Sequence, residues 1–221
     1  MRDAHLAADY RYCQAVQRHF GKSYYFATRF FPPEVRRHIY ALYAFVRLPD
    51  QWVDEPGRAN AGEIARHIDE YERTLRRALA GQWVDEPVLR AFAHTARVFE
   101  IPERYMHDFL NAMRMDLYRT RYRTYAELRD YMWGSAAVVG AMMLCLLRCH
   151  DEKLLPPATR MGEAMQMTNF LRDVGEDWRR DRIYLPQEDM RRFGVTEQDI
   201  AHGRLSEPVI QIGRASCRER V

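Results

Sequence analysis

With 221 residues, 47% of them hydrophobic, the chain can bury a sizeable core in one domain or two. Its formal charge of +3 is too small to indicate a nucleic-acid partner, and almost all of the positive charge is arginine, since Lys22 and Lys153 are the only lysines. Cys13, Cys145, Cys149 and Cys217 show no paired C-x-x-C spacing, and Cys145 and Cys149, one helical turn apart in an apolar run, are read as core thiols in a reducing compartment rather than as a metal or redox site. No signal segment and no apolar run of about 18 residues is visible, so the chain is expected to be cytoplasmic.

Nearly every segment carries helical period and helical punctuation, and none alternates as a strand, which predicts one all-α domain. A first helix covers residues 4–19 and breaks at Gly21. Pro32 and Pro33 open a long second helix that passes Tyr40, Tyr43 and Val46 to Asp54 and stops at Pro56 and Gly57. Asn60 with Glu63 forms a capping box for a helix to Ala80, and Pro87 and Pro102 open two more. The string QWVDEP occurs at 51–56 and again at 82–87. Only the first copy has an acid four residues before its Asp (Asp50, against Gly81), so the second is read as a connecting loop. Arg119, Arg121 and Arg123 alternate with Tyr118, Tyr122 and Tyr125 in what reads as a solvated loop, rather than as a surface for RNA or anionic lipid. Thr124 with Glu127 then caps a helix that carries Tyr131 and runs to Cys149, and Pro156 and Pro157 precede the helix bearing Gln166 to Asp177.

The stretch QMTNFLRDVGEDWRRDRIYLP, 166–186, places Asp173 and Asp177 one helical turn apart, about 6 Å along the axis, with no cation expected between them. Gln166 and Asn169 continue the same stripe, while Arg172, Arg179, Arg180 and Arg182 bring donors suited to phosphate oxygens. Asp50 and Asp54 repeat the spacing, with Arg47 upstream as Arg172 is upstream of Asp173. A single such pair is ordinarily a solvated helix face. Two pairs that both follow aromatic and apolar stripes point instead to facing helices around a cavity for several Mg²⁺ ions and two diphosphates. Tyr24, Tyr25, Phe26, Phe45 and Trp133 are candidates to line that cavity, because ring faces stabilise cations; plain core packing is the alternative for each.

At these residues the sequence resembles the head-to-head trans-prenyltransferases, the family of phytoene and squalene synthases. The similar stretches are GKSYYFATRFFP (21–32), YALYAFVRLPDQWVDE (40–55), YMWGSAAVVGAMM (131–143) and the 166–186 segment. The resemblance implies a helical bundle of the isoprenoid synthase type with a central cavity, and Asp50, Asp54, Asp173 and Asp177 as ligands of Mg²⁺, with Mn²⁺ as a substitute. It places Ser23, Arg47, Gln166, Asn169 and Arg172 around the diphosphates, Tyr43 and Tyr131 beside the reacting carbons, and the small residues Ala136, Ala137 and Gly140 where prenyl tails pass. The GEDW, RIYLP and SAAVVG contexts are more similar to bacterial phytoene synthases. That implies condensation of two geranylgeranyl diphosphates through a cyclopropylcarbinyl diphosphate to phytoene, without NADPH. Prenyl diphosphates are then the partners, nucleic acid is not, and peripheral contact with the inner face of the cytoplasmic membrane is compatible with a lipid product. The alternatives are a squalene- or dehydrosqualene-type synthase acting on farnesyl diphosphate, a class I terpene cyclase, and a non-enzymatic helical assembly factor of the same fold. The last should have lost motif acids, and none is lost. Departures from the family pattern are Gln51 for an acid, Val46 for Cys, Ala137 for Gly, which narrows the tunnel by a methyl, and Asp181 for Gly in a turn that favours left-handed geometry.

The last ten residues, IGRASCRERV at 212–221, show no helical stripe and match the translation of a common sequencing adapter. They are expected to be a non-native tail after a partial domain spanning 1–211, with Cys217 meaningless. In the family, further C-terminal helices close the cavity and add tyrosine and arginine to it, so this chain is expected to be poorly soluble or inactive and its full-length parent active.

Overall fold

Proline, glycine and capping side chains set most helix boundaries where the sequence places them. The computed structural model describes the backbone of residues 2–203 and 207–219 and the side chains of residues 5–203 and 207–213. Among the described residues the architecture is all-α, with α1 (Arg2–Phe20), α2 (Lys22–Thr28), α3 (Pro33–Asp54), α4 (Ala61–Leu79), α5 (Pro87–Val98) and α6 (Glu103–Asp116) in the first half. The second half holds α7 (Tyr125–Met132), α8 (Val138–Leu146), α9 (Leu155–Arg179), α10 (Gln187–Arg192), α11 (Glu197–Ala201) and α12 (Glu207–Glu219). The Asn60–Glu63 capping box is present in full. At Thr124 only half of the expected box forms: its side chain accepts from the Glu127 N–H, while Glu127 turns back to the Arg123 N–H. None of the described helices is long and apolar enough to cross a membrane.

The core is built on α3. Its Phe45 is fully buried and stacks on Phe92 of α5 with 4.0 Å between ring centroids, while α1 packs along the same helix. A smaller apolar cluster lies under the C-terminal half of α9 and joins Val174, Ile183, Leu185, Met190, Ile200, Val209 and Ile212. Ile212 belongs to the stretch expected to be a foreign tail, yet it is fully buried and the helical backbone continues to Glu219. The side chains of 214–221, Cys217 among them, lie outside the described residues. The second QWVDEP copy is the α4–α5 connection, where Arg90 lies over the Trp83 ring and donates to the Val84 carbonyl at 2.7 Å.

Four local expectations need correction. The residues after Gly21 form the separate short helix α2, which no signal in the stretch predicts. The helix expected from Thr124 to Cys149 is interrupted by a π-helical turn, Trp133–Ala137, and ends at Leu146. There Gly134 sits so close to α6 that a Cβ would come within 2.4 Å of the Asp108 carbonyl, and Trp133 donates to the Asp108 carboxylate at 2.9 Å. Cys145 and Cys149 are half-buried thiols, and among the described residues only Cys13 is a core one. Finally, the Arg–Tyr stretch 118–125 is not solvated throughout. Tyr122 is fully buried, and the carbonyls of Thr120, Tyr122 and Arg123 accept from the N–H groups of Ile183, Gln187 and Glu188. Arg121 ties the two segments with bonds to Asp181 and Glu197. The strap 181–188 is thereby held across the ends of α6 and α7.

Small residues between α8 and α9 serve helix contact rather than open space. A Cβ on Gly140 would stand 2.6 Å from the Ala158 carbonyl, and one on Gly162 would stand 2.7 Å from the Ala136 carbonyl. Gly175, also helical, has nothing within 4 Å of the same position. Alanine should therefore act oppositely at the two kinds of site. Gly175→Ala is expected to stabilise by about 0.5–1 kcal/mol through helix propensity. Gly140→Ala is expected to destabilise by about 1–3 kcal/mol, because a backbone carbonyl cannot yield as a side chain would. Thermal denaturation followed by circular dichroism checks both, and a gain at Gly140 would refute the packing account.

Candidate active site

The first acid pair occupies the last turns of α3, one residue after the buried Pro49, and the second occupies the last turns of α9. Burial pushes Asp177 up to about 7, helped by the charges of Asp173 and of Asp54 on the other helix. Arg180 and Arg182, which follow the second pair, both reach Asp54 of the first, so the two pairs border one recess. Burial, followed by the charge of Asp54, pushes Asp50 up to about 6, with Arg47 opposing. Its side chain is nonetheless 41% exposed.

The recess is not free of cations, contrary to the expectation from spacing. Arg47 pairs with Asp50, and Arg172 grips both oxygens of Asp173 at 2.7 and 2.6 Å. Arg182 donates to Asp54 at 2.7 Å and to the Val53 carbonyl at 3.0 Å, while its own N–H reaches the Asp177 carbonyl at 2.9 Å. Arg180 adds a longer contact to Asp54 at 3.6 Å. The flanking arginines, read from the sequence as phosphate donors, thus rest on the motif acids. The donor set is the hard-oxygen kind that suits Mg²⁺, and burial followed by mutual repulsion raises the pKa of Asp50 and Asp177. Among the described residues, however, no three acids, histidines or cysteines converge tightly enough to hold a metal.

The other predicted residues fall along the same two stripes. Tyr43 lies one turn before Arg47, with its hydroxyl end filling the space beside Gly21, where a Cβ would come within 2.5 Å of it. Burial raises its pKa. Arg47 also lies over the Phe20 ring at 5.1 Å, and its Nε is buried without a partner. On α9, Asn169 donates to Gln166 at 3.4 Å, one turn before Asp173. Ser23 is exposed at the start of α2, and Tyr24 beside it is half exposed, 6.1 Å from the Tyr43 ring. Other proposed lining residues are elsewhere. Phe45 is core, Trp133 faces α6, Tyr25 stacks on Tyr40, and Phe26 pairs edge-on with Phe30 at the surface.

Tyr131 is not exposed beside the motifs but buried behind them, and its hydroxyl donates to Asp116 at 2.6 Å. Tyr184, two residues after Arg182, donates to the other oxygen of Asp116 at 2.9 Å and stacks on Phe170 with centroids 4.1 Å apart. The Tyr122 hydroxyl is buried in the same group without a partner. Burial pushes Asp116 up to about 6 against the opposing pull of Arg182 and the two hydroxyls. The sequence carries a signal for this fifth acid. The buried stripe Met106, Phe109, Leu110 and Met113 of α6 runs in steps of three and four straight into Asp116.

An acid whose pKa is raised on folding stabilises the fold fully below its unfolded value and loses that contribution as pH rises through the folded value. For Asp177 the window runs from the unfolded 3.8 to about 7. Relative to the parent, Asp177→Asn should therefore gain stability between pH 4 and pH 8, on the order of 2–4 kcal/mol. Urea denaturation of both proteins without divalent cations measures it, and parallel pH curves would refute the assignment.

The sequence model of the squalene/phytoene synthase family matches residues 17–219. Among curated relatives, phytoene synthase 3 of Zea mays is 35% identical over 211 residues, covering 93% of this chain and 49% of that protein. The 15-cis-phytoene synthase of Synechocystis is 37% identical over 206 residues, covering 88% of this chain and 60% of that protein. The chain thus spans about half to three-fifths of these relatives' length. Among solved structures, a ligand-bound dehydrosqualene synthase superposes with a TM-score of 0.86 at 31% identity, covering 95% of this chain and 72% of that one. The squalene synthase HpnC of Alicyclobacillus acidocaldarius superposes with 0.83 at 29% identity, covering 95% and 81%. With a family model matching residues 17–219 and relatives similar along nearly the whole chain, the protein belongs to the squalene/phytoene synthase family.

Proposed function

We propose that the full-length protein condenses two molecules of geranylgeranyl diphosphate head to head, through a cyclopropylcarbinyl diphosphate, to phytoene. The observation that carries this reading is the pair of D-x-x-x-D motifs on α3 and α9, brought together where Arg180 and Arg182 reach Asp54. Asp50, Asp54, Asp173 and Asp177 would hold Mg²⁺, which supplies charge neutralisation to a departing diphosphate when bound. Arg47 and Arg172 would offer donors to the diphosphate oxygens, with Ser23, Gln166 and Asn169 completing the polar wall. Tyr43 and Tyr24 present rings at the same end, where a developing allylic cation needs a dry aromatic surface.

A second reading, a C30 synthase acting on farnesyl diphosphate, is favoured by the dehydrosqualene and squalene synthases among the structural neighbours. The phytoene synthases among the sequence relatives favour the C40 product. Incubating the full-length protein with geranylgeranyl diphosphate and Mg²⁺, without NADPH, is expected to give a C40 hydrocarbon. A product seen only from farnesyl diphosphate would establish the second reading. Asp50→Asn and Asp177→Asn should each cut turnover by roughly 10²–10³-fold while leaving the fold intact by circular dichroism. Retained turnover with normal Mg²⁺ dependence would sink the metal assignment.

A further inference from the structure

We propose that Asp116 is a positioning residue for this site, which takes the hydroxyl protons of Tyr131 and Tyr184 so that neither tyrosine serves as an acid toward a ligand between α3 and α9. The inference rests on the prenyl-transfer reading of the site. A phenol carries a single proton, and both are spent on Asp116, one on each carboxylate oxygen, at 2.6 and 2.9 Å. Asp116 is 6% exposed, and its two partners 2% and 7%, so water does not compete for these bonds. What remains on each tyrosine is its oxygen lone pairs, which cannot protonate a leaving group, while the rings are stacked on each other and on Phe170.

The same carboxylate also sets the position of Arg182. Three elements meet at Asp116, namely the end of α6, α7 through Tyr131, and the strap through Tyr184. Residues two apart in an extended segment point to the same side, so Arg182 and Tyr184 are parallel anchors of one strap. Tyr184 reaches Asp116, while Arg182 reaches Asp54 and the Val53 carbonyl at the end of α3. Between them, Phe170 of α9 stacks on Tyr184. A shift of Tyr184 would carry Arg182 with it and change how Asp54 stands against Asp177.

The test uses the full-length protein labelled with 3-fluorotyrosine and read by ¹⁹F NMR, together with steady-state kinetics on prenyl diphosphates. Asp116→Asn keeps the volume, but its amide accepts on one side only, so one tyrosine must reverse its role. The expected result is movement of the two resonances that disappear in Tyr131→Phe and Tyr184→Phe, with kcat down about 10- to 100-fold and KM within about threefold. Unmoved resonances, or a lower melting temperature with kcat unchanged, would overturn the proposal. Should Asp116→Asn fail to fold, the two Phe variants carry the same test: each should move the other's resonance through the shared carboxylate, and independent resonances would overturn it. A wild type inactive on every prenyl diphosphate would sink the reading of the site, while the resonances still decide whether Asp116 orients the two tyrosines.

Discussion

Crowding of like charge at one end of the bundle is the constraint on which the rest of the structure depends. Asp50 and Asp54 from α3, Asp116 from α6, and Asp173 and Asp177 from α9 converge there. Two unit charges a few ångströms apart repel by about 4 kcal/mol at an effective dielectric of 20, so five of them cannot stand uncompensated. The fold meets this in three ways. Guanidinium groups pair with Asp50, Asp54 and Asp173; two phenols donate to Asp116; and the pKa of Asp177 is raised, chiefly by burial. The strap 181–188 exists to deliver the second of these guanidiniums. It can do so because Asp181 adopts a left-handed conformation, φ 57°, that turns the chain back after α9, and because the Arg182 N–H caps the Asp177 carbonyl.

Bringing α9 close enough for this depends on residues far from the acids. Gly140 and Gly162 remove the side chains that would hold α8 and the π turn away from α9, and Gly134 does the same between the π turn and α6. The π turn widens the helix where Trp133 reaches Asp108, placing Tyr131 on the inner side to meet Asp116. Ala136 and Gly140, small residues that a resemblance assigns to passing prenyl tails, thus take part in the helix contacts that set the distance between the motifs.

Much of this was legible in the sequence because it is written in local chemistry. Pro33, the Asn60–Glu63 box and the Thr124 cap act within a turn or two of themselves, so their helices start where the residues place them. The acid pairs were equally legible, since i and i+4 share a face whatever surrounds them. The illegible parts are set by distant partners. The π turn depends on Asp108, the burial of Tyr122 depends on a strap sixty residues later, and whether Phe45 or Trp133 lines a recess or a core depends on the opposing helix. Asp116 falls between these cases. Its stripe placed it inside, but its role needed Tyr131 and Tyr184 to be seen beside it.

The arginine pairs differ in how firmly they hold, and that difference orders the events of the proposed reaction. Arg172 is 68% exposed, so its two short bonds to Asp173 form in water and are worth no more than about 1 kcal/mol. A cation or a diphosphate can separate that pair at little cost. Arg47 is 26% exposed, carries an unpartnered Nε and leans on Phe20, so it is held by packing and has a donor to spare for an anion. Arg182 is 9% exposed, bonded to a carboxylate and a carbonyl, and flanked by Asp116, so removing it from Asp54 would strand buried charges at a cost of about 3–5 kcal/mol. Arg172 is thus the guanidinium free to follow the ligand, whereas Arg182 stays. Asp54 then has only Oδ2 left to offer a metal, its Oδ1 being committed to the strap.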